Sequence, residues 1–211
     1  MNKEEFIVAL KDLNISLTED QINKLDKFYN LLIEWNEKIN LTRITEEEDV
    51  YLKHFYDSLT IAKEIDLKTK TTLCDVGTGA GFPGIVLKII YPNLKITLID
   101  SLLKRVNYLN IIIKELELEN IIAIHSRGED YYETFDVVTA RAVANIEKLL
   151  NYTMHLVNKN GLFVAMKGNI DNEITDTVIS KINKKYKLIA INKFLLPKEN
   201  SNRSLVVIKN K

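Results

Sequence analysis

The sequence predicts an α/β fold: a seven-stranded, mostly parallel sheet with its last strand antiparallel, preceded by an N-terminal helical cap. Three observations carry this. Residues 1–76 contain neither glycine nor proline, which suits helices and fits badly with hairpins. From residue 71 short apolar runs alternate with helical stretches, the pattern of a parallel sheet with helices on both faces. The last two strands lie too close in sequence for a helical crossover, so they are expected to pair antiparallel.

In order, residues 2–13 read as a short amphipathic stretch. Thr18 stands three before Gln21, a capping-box start. Behind it Ile22, Leu25, Phe28, Leu32, Trp35 and Ile39 recur every three or four residues along one face of a long helix. Trp35, on that apolar face, is expected to pack in the core rather than stack on a base. A further helix, bent or broken, covers 46–64. Strands follow at 72–76, 94–99 (ending at Asp100), 121–125, 135–140, 162–166, 186–195 and 205–208. Helices are expected after Pro83, a residue well tolerated at the first helical position, and at 102–116, 145–157 and 170–184. The division is a cap over 1–66 and a sheet domain over 67–211.

At 211 residues, the chain is long enough to bury a core without disulfide or metal support. With 46% hydrophobic and 27% charged residues it has the composition of an ordinary folded domain. No apolar run approaches the ~18–20 residues of a membrane span. The start lacks the basic-then-apolar pattern of a signal peptide. A cytoplasmic monomer without membrane or metal is the expectation. The single cysteine, Cys74, excludes an internal disulfide and a cysteine-based zinc site. Net charge is zero, which excludes a simple polybasic binder. The charge is nevertheless uneven: residues 1–64 carry 8 basic and 14 acidic side chains, and residues 181–211 carry 9 basic and 1 acidic. A polyanionic partner should therefore meet the C-terminal end.

The strongest local signal is Asp75-Val76-Gly77-Thr78-Gly79-Ala80-Gly81-Phe82-Pro83-Gly84. It follows a predicted strand and opens a helix, where ligands bind in open α/β sheets. Gly77, Gly79 and Gly81 let the backbone turn sharply and approach a ligand. The spacing is G-x-G-x-G rather than the dinucleotide G-x-G-x-x-G. With an acidic residue two before the first glycine, it resembles the S-adenosylmethionine loop of class I methyltransferases. Asp100 ends the second strand, where a carboxylate can accept both ribose hydroxyls. NAD enzymes share that feature, so an NAD-dependent oxidoreductase is the first rival reading. A non-catalytic RNA-binding module is the second, and a small-molecule methyltransferase the third.

The residues after the fourth strand constrain the acceptor. Thr139-Ala140-Arg141-Ala142-Val143 lacks the N/D-P-P-Y/F motif of amino-group methylation. Carbon-5 pyrimidine methylation needs a cysteine nucleophile, and Cys74, inside the first strand, reads as a small core residue. No Lys-Asp-Lys-Glu set is placed for ribose methylation, which needs a base. What remains is an acceptor with a free lone pair, such as guanine N7, which needs in-line alignment and no general base. Arg141 suits that chemistry. It cannot take a proton, but it can clamp O6, a phosphate or the cofactor carboxylate.

An ordered set of motifs over nearly the whole chain extends this: Trp35-Asn36 with Asn40-Leu41-Thr42; His54 with Asp57-Ser58-Leu59; Asp75 to Gly84; Asp100-Ser101 with Lys104-Arg105 and Leu109; Arg127-Gly128-Glu129; Phe135-Asp136; Arg141-Ala142; Lys167-Gly168; and Arg203. The set resembles the bacterial small-subunit (16S) ribosomal RNA guanine-N7 methyltransferase G family, also called glucose-inhibited division protein B. The resemblance implies a class I methyltransferase core with a helical cap, and 16S ribosomal RNA or a small-subunit particle as partner. It implies S-adenosylmethionine contacts at Gly77, Phe82, Gly128-Glu129 near the adenine, and Arg141. Glycine at 128 stands where a side chain is common in the family. His54 is expected to contact RNA or to cap a helix. Lys104 and Arg105, two cations opening a helix, oppose its dipole and so suggest an anionic ligand. Lys167 and Arg203 are expected to act similarly. His125 and His155 read as structural.

Overall fold

The computed structural model describes residues 1–141 and 144–211; Ala142 and Val143 of the predicted motifs lie outside them. The chain opens with α1 (Lys3–Leu10), whose first turn is closed by a reciprocal capping box between Asn2 and Glu5. α2 (Glu19–Ile39) starts at the predicted Thr18–Gln21 box and ends at Asn40 in the left-handed conformation. Gln21 does more than cap: its Nε2 donates to the carbonyls of Ile89 and Ile90 at 3.0 and 3.1 Å. The predicted bent helix is α3 (Glu47–Val50), a π-helical stretch Tyr51–Tyr56, α4 (Asp57–Leu59) and a 3-10 turn Thr60–Lys63. The expected break in α-helical geometry falls at the π-stretch, a form frequent at functional sites.

The remainder alternates as expected: β1 (Thr72–Val76), α5 (Gly84–Ile90), β2 (Lys95–Asp100), α6 (Leu103–Glu115), β3 (Ile121–His125), β4 (Phe135–Arg141), α7 (Ile146–Thr153), β5 (Val157–Lys167), α8 (Asp176–Lys185), β6 (Lys187–Leu195) and β7 (Asn202–Lys209). One sheet holds all seven strands in the order β3-β2-β1-β4-β5-β7-β6. The pairs among β1 to β5 are parallel, and β7 runs antiparallel to both β5 and β6. The central strands are buried on both faces, so each reads as a continuous apolar run. Alternate residues feed two cores. Leu73, Ile96, Leu98, Val137 and Val207 pack with α5, α6 and the cap, whereas Cys74, Ile99, Val138, Phe163 and Val206 pack with α7 and α8.

The strand order reverses between β1 and β4, and this switch point opens a crevice at the strands' carboxyl ends. The glycine loop leaves β1 there, and Arg141 closes β4 there.

Some boundaries differ from the sequence expectation. α8 begins at Asp176 rather than 170, capped by Thr175; residues 170–174 instead make a turn held by bonds from Glu173 N and Ile174 N to Ile170 O. β5 begins at Val157, inside the span expected for the preceding helix. Its polar Asn158-Lys159-Asn160 hides it from an apolar-run criterion, and its register against β4 shifts between Phe135 and Val137. Pro83 occupies the cap position of α5, one before the first helical residue.

Candidate active site

A cleft of about 570 Å³ occupies the switch point, walled by the glycine loop, the ends of β4, β5 and β7, and the cap. It brings together Gly77, Gly79, Phe82, His54, Arg105, Arg141, Lys167 and Arg203 of the residues singled out in the sequence. It does not take in Gly81, Asp100, Lys104, Gly128 or Glu129.

The loop is built on its glycines. Gly77, Gly79 and Gly81 have φ of 71°, 62° and 97°, a region costly for residues with a Cβ. They differ in surroundings. A Cβ on Gly79 would meet nothing within 4 Å, so this residue keeps the loop's open face clear. A Cβ on Gly81 would lie 2.6 Å from Ile85 Cγ1, so this glycine lets the loop dock on α5. Asp75 anchors the loop from below: its Oδ2 accepts from the Thr78 hydroxyl at 2.7 Å and from Gly84 N at 2.9 Å. Its Oδ1 is buried without a partner among the described residues. Burial pushes this carboxyl up to about 6, against the pull of Thr78, Gly84 N–H and Arg141.

Asp100, buried behind the wall, accepts from Gly79 N at 3.0 Å and Leu102 N at 2.9 Å, with Arg105 Nη1 at 3.4 Å. It thereby ties the loop to the start of α6. Lys104 is exposed and reaches the carbonyl of Ile39, 3.4 Å away on the cap. Gly128 is buried because nothing larger fits: a Cβ would lie 2.8 Å from Val76 Cγ1 and 2.9 Å from the Tyr152 carbonyl. Glu129 beside it is exposed. Cys74 is fully buried and its thiol is pushed well up by burial, an inert core residue.

The cap side is a connected polar network. Arg141 Nη1 donates to the Lys53 carbonyl at 3.0 Å and to Asp57 Oδ2 at 3.2 Å, and Nη2 donates to His54 Nδ1 at 3.2 Å. Its guanidinium carbon lies 5.2 Å from the centre of the Phe82 ring, on which the His54 ring stacks at 4.4 Å. His54 Nε2 lies 2.9 Å from Thr42 Oγ1. Burial and the adjacent Arg141 push His54 down to about 3, so the imidazole is neutral at pH 7. Asp57 holds a second arginine, accepting from Arg203 Nε at 2.9 Å through Oδ1. Lys167 is mostly buried, paired with Glu173 at 3.0 Å and donating to the Ala144 carbonyl at 2.5 Å. The cations of the cleft thus enter it already fixed by protein partners. Trp35 is half-buried against Tyr108, with Lys38 over its ring. His125 and His155 bond to the carbonyls of Ser101 and Tyr131.

Two residues of the network, Asp57 and Thr42, sit in sequence motifs that do not disclose their role. The signal for Asp57 was a carboxylate inside the apolar stretch between Val50 and Ile61, since a charge is seldom buried unless paired. Thr42 is set by its own motif. Asn36 Oδ1 accepts from both Leu41 N and Thr42 N, at 2.7 and 2.8 Å, and Asn40 makes the left-handed turn between. Among the described residues no group of three or more His, Cys, Asp or Glu side chains is arranged to hold a metal ion. No described helix is long and apolar enough to cross a membrane.

Comparisons with known proteins agree with this arrangement. A solved S-adenosylmethionine-dependent methyltransferase from Aquifex aeolicus superposes with a TM-score of 0.58 at 17% identity, covering 83% of this chain and 97% of that one. TYW2 of M. jannaschii, solved in complex with AdoMet, gives 0.54 at 21% identity over 66% of this chain and 68% of that one. At such identities these likenesses establish the fold. In sequence, the chain is 44% identical to ribosomal RNA small subunit methyltransferase G of Bacillus velezensis, over 99% of this chain and 90% of that protein. Identity to the Bacillus subtilis protein of the same name is also 44%, with the same coverage. The family model described as rRNA small subunit methyltransferase G matches residues 21–200. With the loop, the cleft and the cap motifs in one place, the chain belongs to the rRNA small subunit methyltransferase G family.

Proposed function

We propose that this protein transfers a methyl group from S-adenosylmethionine to N7 of a guanine in 16S ribosomal RNA, free or in a small-subunit particle. The observation that carries the reading is the cleft at the β1/β4 switch point. It joins an open glycine loop to an arginine that cannot act as a base, in a chain of this family. The residues present fit the cofactor, since Gly79 leaves the loop face clear toward a cleft that Gly77, Phe82 and Arg141 also line. Gly77, Gly79, Phe82 and Arg141, which line the cleft, are assigned to holding it, with Gly81 and Asp100 supporting the loop from behind; Gly128 and Glu129 lie outside the cleft. When bound, it supplies an electrophilic methyl group on sulfur.

The chain's own task is positioning. Guanine N7 carries no proton at neutral pH, so no general base is required. His54 is neutral with both ring nitrogens engaged, and Asp57 spends both oxygens on arginines. Neither is poised to abstract a proton, which suits an acceptor with a free lone pair. Arg141, with two of its five N–H groups not engaged by the partners above, is assigned to orienting the reactants. Lys104, Arg105, Lys167 and Arg203 are assigned to the RNA side, where phosphate contacts position a strand; His54, with both ring nitrogens engaged, serves that side through its neighbours. In this scheme residues 1–66 act as the cap that completes the cleft over the 67–211 core. The protein works as a cytoplasmic monomer without a metal.

Calorimetry combined with labelled methyl transfer tests this. S-adenosylmethionine and its demethylated product should bind and NAD should not. Label should then appear in 16S RNA on addition of small-subunit fractions. Binding of NAD alone, or cofactor binding with no RNA product, would reject the proposal.

A further inference from the structure

The hydrogen bonds around Thr42 fix which way its hydroxyl proton points. An arginine has donors only, so the 3.2 Å contact from Arg141 Nη2 makes His54 Nδ1 an acceptor. The neutral ring must then carry its proton on Nε2. Its 2.9 Å partner, Thr42 Oγ1, is therefore an acceptor in that bond. Thr42 Oγ1 accepts a second time, from Ile44 N at 3.1 Å. A hydroxyl has two acceptor lone pairs and one proton. Both lone pairs are filled from inside the protein, and the proton has no internal acceptor among the described residues. Thr42 is half-buried and lines the cleft, and its hydroxyl can act toward a ligand only as a donor.

On the side of the base carrying N7, guanine presents two acceptors, N7 and O6, whereas adenine presents N7 and the donor N6–H₂. A group that can only donate pairs with O6 and opposes an amino group. We propose that Thr42 selects guanine: its hydroxyl donates to O6 of the base whose N7 takes the methyl group. The chain Arg141–His54–Thr42 enforces this polarity, so His54 acts through Thr42 as a positioning residue. This rests on the guanine-N7 reading above.

The test uses the full protein and small-subunit RNA carrying one of three bases at the modified position: guanine, 2-aminopurine, in which hydrogen replaces O6 while N7 is kept, or adenine. With wild type, kcat/KM should fall about tenfold from guanine to 2-aminopurine, the order expected for one hydrogen bond, and further for adenine. Thr42→Val should lose about tenfold on guanine and little on 2-aminopurine. Thr42→Ser should restore the preference, and S-adenosylmethionine affinity should be unchanged in both. Equal rates of wild type on guanine and 2-aminopurine would overturn the proposal without any variant. Equal slowing of both bases by Thr42→Val, or weaker cofactor binding in its place, would overturn it as well. Absence of any N7 product from wild type on guanine would instead reject the underlying function.

Discussion

Removing Asp57 should cost far more than an ordinary surface ion pair. Its side chain is 8% exposed and lies between Arg141, 16% exposed, and Arg203, 22% exposed. It joins α4 of the cap to the ends of β4 and β7. Breaking a buried pair by deleting one partner typically costs about 3–5 kcal/mol, because the remaining charge stays desolvated. Here neither arginine is left bare. Arg141 keeps the Lys53 carbonyl and His54, and Arg203 keeps the Asn202 carbonyl and Ser201 Oγ. Both also reach the cleft. The lower end of the range applies, so Asp57→Ala should lose about 3 kcal/mol. With an m value of about 2 kcal/mol/M, the urea midpoint falls by ~1.5 M. Asp57→Asn, which keeps an acceptor oxygen, should fall between. In a double-mutant cycle, Arg203→Met should cost less once Asp57 is gone. A loss below about 1 kcal/mol for Asp57→Ala, the range of exposed pairs, would refute the assignment of Asp57 as the anchor of both arginines.

Asp75 sets a pH dependence. Its carboxyl is raised from 3.8 to about 6 by burial, so the native state holds this proton more tightly than the unfolded chain. The favourable contribution is complete below pH 3.8 and is lost as pH rises through about 6, a change of about 3 kcal/mol. Asp75→Asn does not titrate there. Relative to wild type it should therefore gain about that much between pH 4 and pH 7 in matched denaturation curves; parallel curves would contradict the burial argument. Lys88 is buried in α5, with Nζ donating to the carbonyls of Pro92 and Leu94 at 2.6 and 2.5 Å. Lys88→Met keeps the apolar stem but strands both carbonyls, and should cost about 2–3 kcal/mol. Unchanged stability would show that water replaces the ammonium without loss.

The core was legible because period and punctuation agree. β1 reads as a strand since both its faces are buried, and the Thr18–Gln21 box is a local signal that tertiary packing left intact. The first residues of β5 are hidden in the sequence because they are polar and sit on an irregular register, where pairing with β4 outweighs side-chain pattern. Among site residues, those on the loop and at strand ends followed from position in the fold. The network from the cap did not. His54 and Asp57 meet Arg141, and Thr42 joins it through His54, only because cap segments about 85–100 residues away in sequence fold over the switch point. Motif spacing shows that such residues are grouped, and the partner of each stays hidden until the cap is placed. Gly128 is the converse case, since the closeness of Val76 and Tyr152, which leaves no room for a Cβ, cannot be read from the sequence.

Methyl transfer to guanine N7 is the activity from which the site assignments follow. It is tested most directly by incubating the purified protein with S-adenosylmethionine bearing an isotopically labelled methyl group and small-subunit particles that lack the modification. The 16S RNA is then digested and the labelled nucleoside identified and mapped by mass spectrometry. Labelled 7-methylguanosine should appear at a single position and be lost with Arg141→Ala. Label on any other nucleoside, on ribose, or on protein would contradict it.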